Sequence, residues 1–342
     1  MRLYRVTSFT GLDGLERLEE PDPAAPVAGQ VQVRVRATSI NFGDLLDLNG
    51  GLQGTEGGMA PNHIPMADGA GEVVAVGPLV TRVKVGDRVA MTFHPTWIDG
   101  PIPDDFRVLG RTSGPSEGCL AEFKVVDQSE LVIVPDHLSF EEAATLPCAG
   151  VTAWAALRGQ VDKLEAGEDV LVMGSGGVSV FALQFAKIAG ARVIATTSSP
   201  AKMDRLRELG ADVVVDTSGG AGWHEAVLKA TGSRGVDVAL DVGGASGWRE
   251  TMLSTRRCGR VSLVGMLSMQ EGDMPVVFSM RGINLNPTRV GSRRHFEDMN
   301  RAISQAKIRP LIDSVFGFDQ VRAAFEHFST GTRMGKVVIR ID

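Results

Sequence analysis

The chain of 342 residues lacks the features that would mark three other classes of protein. It has only three cysteines, Cys119, Cys148 and Cys258, which are too few and too far apart for a disulfide framework, so we expect reduced thiols and a cytoplasmic location. A net charge of −6 with scattered basic residues excludes an electrostatic footprint for nucleic acid or an anionic membrane surface. The longest uncharged apolar run, residues 143–157, is too short to span a bilayer. We therefore expect neither nucleic acid nor a membrane as a partner.

Two further absences concern targeting and chemistry. The amino terminus has no apolar core of a secretory signal peptide, which agrees with a cytoplasmic location. Tyr4 is the single tyrosine and lies at the extreme amino terminus, which argues against a catalytic tyrosine. The length of the chain is sufficient for about two domains, each with its own core.

A glycine-rich loop after the apolar run 169–173 is the most informative stretch. Gly174, Gly176 and Ser179 follow that run, apolar residues then recur at helical spacing, and a second apolar strand follows at residues 192–197. A loop of the form G-x-G-x-x-(G/A) between strand and helix predicts that a dinucleotide pyrophosphate binds at the helix N-terminus. Ser179 departs from the motif only slightly, because serine is the next smallest residue that could fit. The alternative is a glycine-rich turn that binds nothing.

The two halves of the chain differ in periodicity. Up to about residue 125, turn signals separate predicted strands at 31–36 and 71–77 and a predicted strand–turn–strand at 83–90. From about residue 138, helical and strand patterns alternate, beginning with a predicted helix at residues 141–157. This alternation predicts a parallel doubly wound sheet with its ligand at the carboxyl ends of the strands. The segment 335–340 is predicted to return as a strand to the first domain. We therefore expect an α/β protein with a β-rich domain before the parallel sheet.

The order of motifs along the chain resembles the medium-chain dehydrogenase/reductase superfamily. The matching stretches are residues 66–77, 85–89, 118–123, 143–154, the glycine loop and 334–338. The resemblance implies a GroES-like catalytic domain, a Rossmann NAD(P)-binding domain and an active site in the cleft between them, with expected bounds of 1–126, 127–290 and a return to the catalytic domain at 291–342. Within the superfamily the chain is similar to the zinc-free branch that includes quinone oxidoreductases, in its Gly-Gly-Val-Ser loop and in residues 290–293.

The resemblance also shows which residues replace the ligands of a catalytic zinc. Zinc enzymes of the superfamily place Cys, His and Cys at positions that match Asn41, Ala67 and Cys148 here. A neutral amide is a poor zinc ligand and alanine is none, whereas a catalytic site needs about three protein ligands. Residues 93–118 also lack the four cysteines of a structural zinc lobe. We expect no zinc, and we expect Cys148 to be a small buried side chain rather than a nucleophile.

A metal-free site constrains the substrate. Hydride delivered to a simple ketone makes a localised alkoxide, whereas a quinone or an enone spreads the charge over its conjugated system. The candidate catalytic residues are Asn41, Asp44 and Thr152. Asn41 either donates to the substrate oxygen or stabilises a turn, and Asp44 and Asp68 alternatively brace loops. Candidate substrate-pocket residues, for whose apolar members ordinary core packing is the alternative, are Phe42, Met66, Asp68, Phe93, Trp97 and Met266.

The end of the second strand indicates the cofactor. NAD sites place a carboxylate there for the ribose 2′-OH, but residues 194–199 contain none. Ser198 and Ser199 can donate to a 2′-phosphate and Lys202 supplies charge, which favours NADP(H), with NAD(H) as the alternative; otherwise Ser199 only caps a helix and Lys202 is a solvated residue. Cofactor contacts are expected from Gly174, Ser175, Gly176, Gly177, Val178, Thr197, Ser198, Lys202, Val242, Gly265 and Ser292.

Three hypotheses of function follow. The leading one is a zinc-independent, NADPH-dependent oxidoreductase that transfers hydride to a quinone or an α,β-unsaturated carbonyl. The alternatives are a metal-free NAD(P)-dependent alcohol or aldehyde oxidoreductase and a catalytically silent NADPH-binding protein. We expect a small-molecule substrate and a homodimer.

Overall fold

The computed structural model describes residues 1–51, 60–104, 110–112, 116–158, 163–265 and 276–342. The chain forms two compact units, of which the first comprises Met1–Val151 and Val290–Asp342 and the second comprises Thr152–Arg289. Among the described residues, no helix combines the length and apolar character needed to cross a membrane.

The regular elements are numbered in chain order. The strands are β1 (Arg2–Val6), β2 (Leu15–Glu19), β3 (Gln30–Ser39), β4 (Ala70–Val76), β5 (Arg88–Met91), β6 (Phe123–Asp127), β7 (Leu131–Ile133), β8 (Asp169–Met173), β9 (Arg192–Thr197), β10 (Val213–Asp216), β11 (Val236–Asp241), β12 (Thr255–Leu263), β13 (Asn284–Pro287), β14 (Ile312–Gly317) and β15 (Lys336–Arg340). The helices are α1 (Phe42–Leu48), α2 (Phe140–Ala144), α3 (Val151–Arg158), α4 (Gly177–Ile188), α5 (Met203–Glu208), α6 (His224–Ala230), α7 (Trp248–Ser254), α8 (Val277–Arg281), α9 (Arg293–Ala306) and α10 (Val321–Ser329).

The first unit is built on a sheet in the order β14-β15-β3-β4-β5-β7, with β6 also paired to β3. The long strand β3 alternates buried Val31, Val33 and Val35 with partly exposed polar residues, as a strand with one face on a core should. The last strand, β15, pairs antiparallel with β3. The prediction that the carboxyl-terminal segment returns to the first domain is therefore confirmed.

The second unit is a six-stranded parallel sheet in the order β10-β9-β8-β11-β12-β13. Its central strand β8 is buried, with an apolar run of Val170, Leu171 and Val172, as expected for a strand covered on both faces. The strand order reverses next to β8, which leads into the glycine loop. This is the doubly wound topology in which ligands bind outside the carboxyl ends of the strands, and it confirms the predicted fold class.

The units divide at a later residue than the expected bound of 126/127. Residues 127–151 belong to the first unit, because β7 pairs antiparallel with β5 in its sheet. The predicted bounds of 1–126, 127–290 and 291–342 refer to the domains that the family resemblance implies, not to compact units, and they stay a prediction.

Two local predictions were inaccurate. The predicted strand–turn–strand at 83–90 contains one strand, β5, which begins only at Arg88. The single helix expected from residue 141 to 157 is divided into α2 and α3 by a wider turn, Leu146–Gly150, which contains Pro147. Proline lacks the N–H that would continue the hydrogen-bond ladder of α2.

Candidate functional site

The glycine loop joins β8 to α4 at the carboxyl edge of the parallel sheet. Gly174 has a φ of +77°, a conformation that residues with a Cβ rarely adopt, and its N–H donates to the Thr196 carbonyl at 2.9 Å. Gly176 is the N-cap of α4, and among the described atoms none lies within 4 Å of the position that a Cβ would take there. The loop therefore leaves open space in front of a helix N-terminus, which is a favourable place for a pyrophosphate.

Ser179 stands at the third position of the motif and is buried. Its hydroxyl donates to the carbonyl of Met173, the last residue of β8, at 2.6 Å. The serine thus links helix to strand by a hydrogen bond at the place where the motif usually has glycine for close packing.

Three other predicted cofactor residues lie at the same edge of the sheet. Thr197 is the last residue of β9, Val242 follows β11, and Gly265 follows β12. Ser198 is exposed directly after β9, and Lys202 is half-buried in the short turn Pro200–Lys202. Their contacts with a cofactor stay predictions.

Asp241, at the end of β11, was not among the predicted residues. Its buried carboxylate accepts the Gly244 N–H at 2.9 Å and the Thr251 hydroxyl at 2.7 Å, and its carbonyl accepts the Gly265 N–H at 2.9 Å. Burial raises the pKa of Asp241 above its ordinary value. Asp241 fixes the loops that carry Val242 and Gly265, and an aspartate followed by glycines after an apolar run was the signal that could have identified it.

A second group of polar residues meets inside the first unit, and we call Ser39, Asn41, Asp68 and Lys336 the Asp68 cluster. The Asp68 side chain is fully buried. Its Oδ2 accepts from Ser39 Oγ at 2.8 Å and from Asn41 Nδ2 at 2.9 Å, and its Oδ1 accepts the Cys148 N–H at 2.9 Å. The strand end of β3, the start of α1 and the carboxyl-terminal strand β15 bring these side chains together.

Lys336 is the cation of the Asp68 cluster. Only 3% of its surface is exposed, and its ammonium donates to Asn41 Oδ1 at 2.5 Å and to the Ile40 carbonyl at 2.7 Å, with Asp68 Oδ2 at 3.4 Å. Asn41 is therefore oriented with its oxygen toward Lys336 and its nitrogen toward Asp68. The second hydrogen of Asn41 Nδ2 has the Ser39 carbonyl at 3.5 Å, a long contact.

Asp44 lies on the first turn of α1, the helix whose N-cap is Asn41 of the Asp68 cluster. Its carboxylate accepts the Asn41 N–H at 2.7 Å and lies 3.4 Å from the Ala67 N–H. Burial raises the pKa of Asp44 to about 7, against the lowering effect of the Asn41 N–H and with a further rise from the charge of Asp68. These backbone contacts are those of a loop brace, the alternative stated for this residue.

The remaining predicted residues lie on several elements of the fold. Thr152 is buried in the first turn of α3, and Ser292 is the N-cap of α9, where its hydroxyl accepts the His295 N–H at 3.2 Å. Met66 is fully buried in the core of the first unit. Phe42 is half-buried, Phe93 and Trp97 are buried, and Met266 lies outside the described residues. Roles for these residues in the reaction or in cofactor binding stay predictions.

The positions that match zinc ligands do not fit the metal. The Asn41 oxygen already accepts from an ammonium, Ala67 has no ligating atom, and Cys148, which is half-buried rather than buried as expected, supplies one thiol. In the part of the chain that the structure describes, no three His, Cys, Asp or Glu side chains are grouped to hold a metal ion. The donor set falls short of the roughly three ligands that a catalytic zinc requires.

Comparison with known families gives two matches along the chain. Residues 27–136 match the family described as alcohol dehydrogenase GroES-like domain, and residues 177–305 match the family described as zinc-binding dehydrogenase. The chain is 36% identical to a zinc-type alcohol dehydrogenase-like protein of Schizosaccharomyces pombe, over 98% of this chain and 97% of that protein.

Two other relatives carry more specific names. The chain is 30% identical to a 2-methylene-furan-3-one reductase of Solanum lycopersicum, over 99% of this chain and 79% of that protein. It is 38% identical to a quinone oxidoreductase of Pseudomonas aeruginosa, over 65% of this chain and 59% of that protein. Among solved structures, a protein from Sinorhizobium meliloti 1021 that is named only provisionally as an alcohol dehydrogenase superposes with a TM-score of 0.92 at 36% identity, over 99% of this chain and 98% of that one.

Proposed function

Since the chain belongs to the medium-chain dehydrogenase/reductase superfamily, we propose that it is a zinc-independent, NADPH-dependent reductase of quinones or α,β-unsaturated carbonyls. The family consists of oxidoreductases that bind a nicotinamide cofactor, and this chain is an oxidoreductase of that kind. The choice of metal, cofactor and substrate is the part that we propose.

The observation that carries the proposal is the orientation of Asn41 in the Asp68 cluster. Asn41 stands where zinc enzymes of the superfamily have a cysteine ligand. Its amide oxygen accepts from the Lys336 ammonium at 2.5 Å, and its amide nitrogen donates to Asp68 at 2.9 Å. The cluster offers hydrogen-bond donors in place of a Lewis acid. Such a site suits an acceptor that spreads its developing charge over a conjugated system.

Asn41 is the proposed donor to the substrate oxygen. One hydrogen of its Nδ2 is committed to Asp68, while the other has, among the residues that the structure describes, only the long contact to the Ser39 carbonyl at 3.5 Å. The hydrogen bond from the Lys336 ammonium polarises the amide and strengthens its N–H as a donor. A nicotinamide cofactor held at the glycine loop would supply the hydride, and water would supply the proton that completes the reduction.

The cofactor proposal is NADP(H). The glycine loop has open space at Gly176 for a pyrophosphate, and the end of β9 carries Ser198 and no carboxylate. Lys202 lies a few residues further, where its ammonium could pair with a 2′-phosphate. NAD(H) is the alternative, and the rates of NADPH and NADH oxidation distinguish the two cofactors.

A metal-free alcohol or aldehyde oxidoreductase is the second candidate. It is favoured by the names of relatives that cover nearly the whole chain, including the zinc-type alcohol dehydrogenase-like protein. The names of the quinone oxidoreductase and the furanone reductase favour conjugated acceptors instead. Only turnover distinguishes these substrate classes.

The test is the rate of NADPH and NADH oxidation with matched quinones, enones and saturated aldehydes, together with elemental analysis of the purified protein. We expect the highest kcat/KM with NADPH and a conjugated acceptor, less than one zinc per chain, and no loss of rate with a strong chelator. Stoichiometric zinc that is required for turnover would overturn the metal proposal. A preference for the saturated aldehyde would favour the second candidate, and tight NADPH binding without turnover on any acceptor would favour a silent binding protein.

We also propose that the enzyme is a cytoplasmic homodimer. Three separate cysteines, none in a disulfide, suit a reducing compartment. Light scattering of the purified protein should give twice the chain mass of 36.4 kDa; a mass of one chain at working concentration would contradict the homodimer.

A further inference from the structure

An arginine-lined pocket lies on the second unit, away from the glycine loop. It has a volume of about 330 Å³ and is lined by Ser233, Arg234, Arg256, Arg257 and Arg281. These residues lie at or before the amino ends of β11, β12 and β13, which are parallel neighbours. The glycine loop lies at the carboxyl edge, and a strand of this length separates the two edges by roughly 20 Å. The pocket is therefore distinct from the dinucleotide edge.

A bulge in β12 carries two of the arginines. Residues 256–259 of β12 have no partner in the register with β11, so they leave the ladder and form an irregular segment. Cys258 within it adopts a φ of +53°, an unfavourable conformation for a residue with a Cβ. Bulges redirect side chains relative to a regular strand, and here the redirected residues are Arg256 and Arg257.

Two of the guanidinium groups are fixed by buried carboxylates. Arg234 donates to both oxygens of Asp237 at 2.7 Å and to Asp169 Oδ2 at 2.9 Å. Arg256 donates from Nε to Asp237 Oδ1 at 2.6 Å. These pairs hold the two guanidiniums in place before any ligand arrives.

The other two arginines have no carboxylate partner among the described residues. Arg281 donates to the Thr255 carbonyl at 2.6 Å, and Arg257 is exposed with no side-chain hydrogen bond or ion pair within the described part of the chain. Asp169, moreover, is shared with Arg192 outside the pocket. The pocket thus holds an excess of positive charge in a chain whose net charge is −6.

We propose that this pocket binds a small multivalent oxyanion of the phosphate class. Guanidinium groups match phosphate oxygens through paired N–H donors, and two of the four are already oriented by Asp237. The volume falls at the lower end of the range for small-molecule sites, about 300–1,000 Å³. A structural role is the competing explanation, because α6 ends shortly before Ser233 and α8 ends at Arg281, and cations stabilise helix carboxyl ends.

Calorimetric titration of the full chain with pyrophosphate tests the proposal, first alone and then with saturating NADPH or NADH. We expect binding in both titrations, and at least about a tenfold loss of affinity in Arg257→Glu because a charge-assisted contact is replaced by repulsion. Arg301→Glu, which makes the same charge change at an exposed position of α9, should bind as the wild type.

Thermal unfolding of each variant provides the check on folding. Arg257→Glu should keep the wild-type midpoint, because Arg257 makes no side-chain hydrogen bond or ion pair with the residues that the structure describes. Absence of pyrophosphate binding to the wild type would overturn the proposal. The proposal would also be overturned if a dinucleotide abolished pyrophosphate binding and Arg257→Glu left it unchanged. The anion would then occupy the glycine loop. Unaltered pyrophosphate affinity in Arg257→Glu would also overturn the proposal, and a lowered midpoint in the same variant would then indicate a structural role for Arg257.

Discussion

The glycine loop and the Asp68 cluster are built in opposite ways. The loop comes from one short stretch between β8 and α4, and its features are backbone features: a left-handed Gly174, an open Gly176 and a helix N-terminus. The Asp68 cluster joins residues that are far apart in the sequence, with Lys336 reaching Asn41 across nearly the whole chain. The loop is specified by local sequence, and the cluster is specified by the pairing of β15 with β3.

The two regions should therefore differ in their response to substitution. A loop that binds through backbone N–H groups tolerates changes of single side chains. The Asp68 cluster contains a buried carboxylate and a buried ammonium, and removal of either partner leaves an uncompensated charge in the interior. The predictions below, from the largest expected effect to the smallest, test this difference.

The largest effect is expected from Lys336→Met. The substitution keeps the length of the side chain but leaves the Asp68 carboxylate buried without its cation, so the free energy of unfolding should fall by about 3–5 kcal/mol. Urea unfolding measures it. Arg340→Met on the same strand is the control, since the Arg340 side chain is 53% exposed, and it should change little. A loss of less than about 1 kcal/mol for Lys336→Met would place this pair in the range of surface ion pairs.

Asp44 should make the stability of the protein depend on pH. Its pKa is raised from 3.8 to about 7 in the folded protein, so the folded state holds the proton more tightly than the unfolded state does. The free energy of unfolding should fall as pH rises between these values, by up to about 1.4 kcal/mol per pH unit.

Asp44→Asn should remove that slope, and Asp319→Asn, at a carboxylate that is 70% exposed, should not. Urea unfolding of the three proteins between the two pKa values provides the comparison. Equal slopes in wild type and Asp44→Asn would show that Asp44 ionises normally when folded.

Asn41→Ala tests the proposed donor itself. If the amide stabilises charge that develops on the substrate oxygen, kcat should fall by a larger factor than KM rises. The loss of transition-state stabilisation should be about 2–4 kcal/mol, which lowers the rate by at most around a thousandfold. The penalty should be smaller for a quinone than for an unconjugated aldehyde. Steady-state rates on one acceptor of each type measure the difference, with Asn49→Ala at the other end of α1 as the control. Unchanged rates would leave Asn41 as a loop residue, and loss of both rates together with stability would indicate a purely structural role.

Most of the fold could be predicted, because the periodicity of the side chains indicates the strands and helices and the family resemblance implies the GroES-like domain. The doubly wound parallel sheet, the GroES-like β-rich domain and the return of the last strand are confirmed. The compact units divide after residue 151 because β7, a strand of only three residues, pairs with β5 over a long range, and short strands of this kind leave little signal in the sequence. The division of α2 from α3 was missed although Pro147 marked it.

The site was predictable to the extent that its residues are local. The glycine loop and Thr197 follow from a motif, whereas the partners of Asn41 depend on tertiary pairing. Lys336 lay in a matching stretch of the family pattern, but nothing near it in the sequence indicated a contact with Asn41 or Asp68. Asp241 was missed because its role is to fix two loops, and no motif described it.

Lys202→Ala tests the part of the nucleotide edge that depends on a side chain. A charge-assisted contact with a 2′-phosphate contributes about 1.5–3 kcal/mol, so the KM for NADPH should rise about tenfold or more. The KM for NADH should change little, because that cofactor lacks the phosphate. Lys229→Ala on exposed α6 is the control. Equal losses with both cofactors would contradict the assignment of NADP(H).

The smallest effect is expected from Ser179→Ala. The substitution removes one hydrogen bond, from the Ser179 hydroxyl to the Met173 carbonyl, so the free energy of unfolding should fall by about 0.5–1.5 kcal/mol. The KM for the dinucleotide should change less than about twofold, a few tenths of a kcal/mol, because the backbone of Gly174 and Gly176 keeps its geometry. Ser262→Ala is the matched control, since that buried hydroxyl donates to the Ala156 carbonyl at 2.7 Å outside the loop. A dinucleotide KM that rises about tenfold in Ser179→Ala alone, at equal loss of stability, would show that the loop also depends on its side chains.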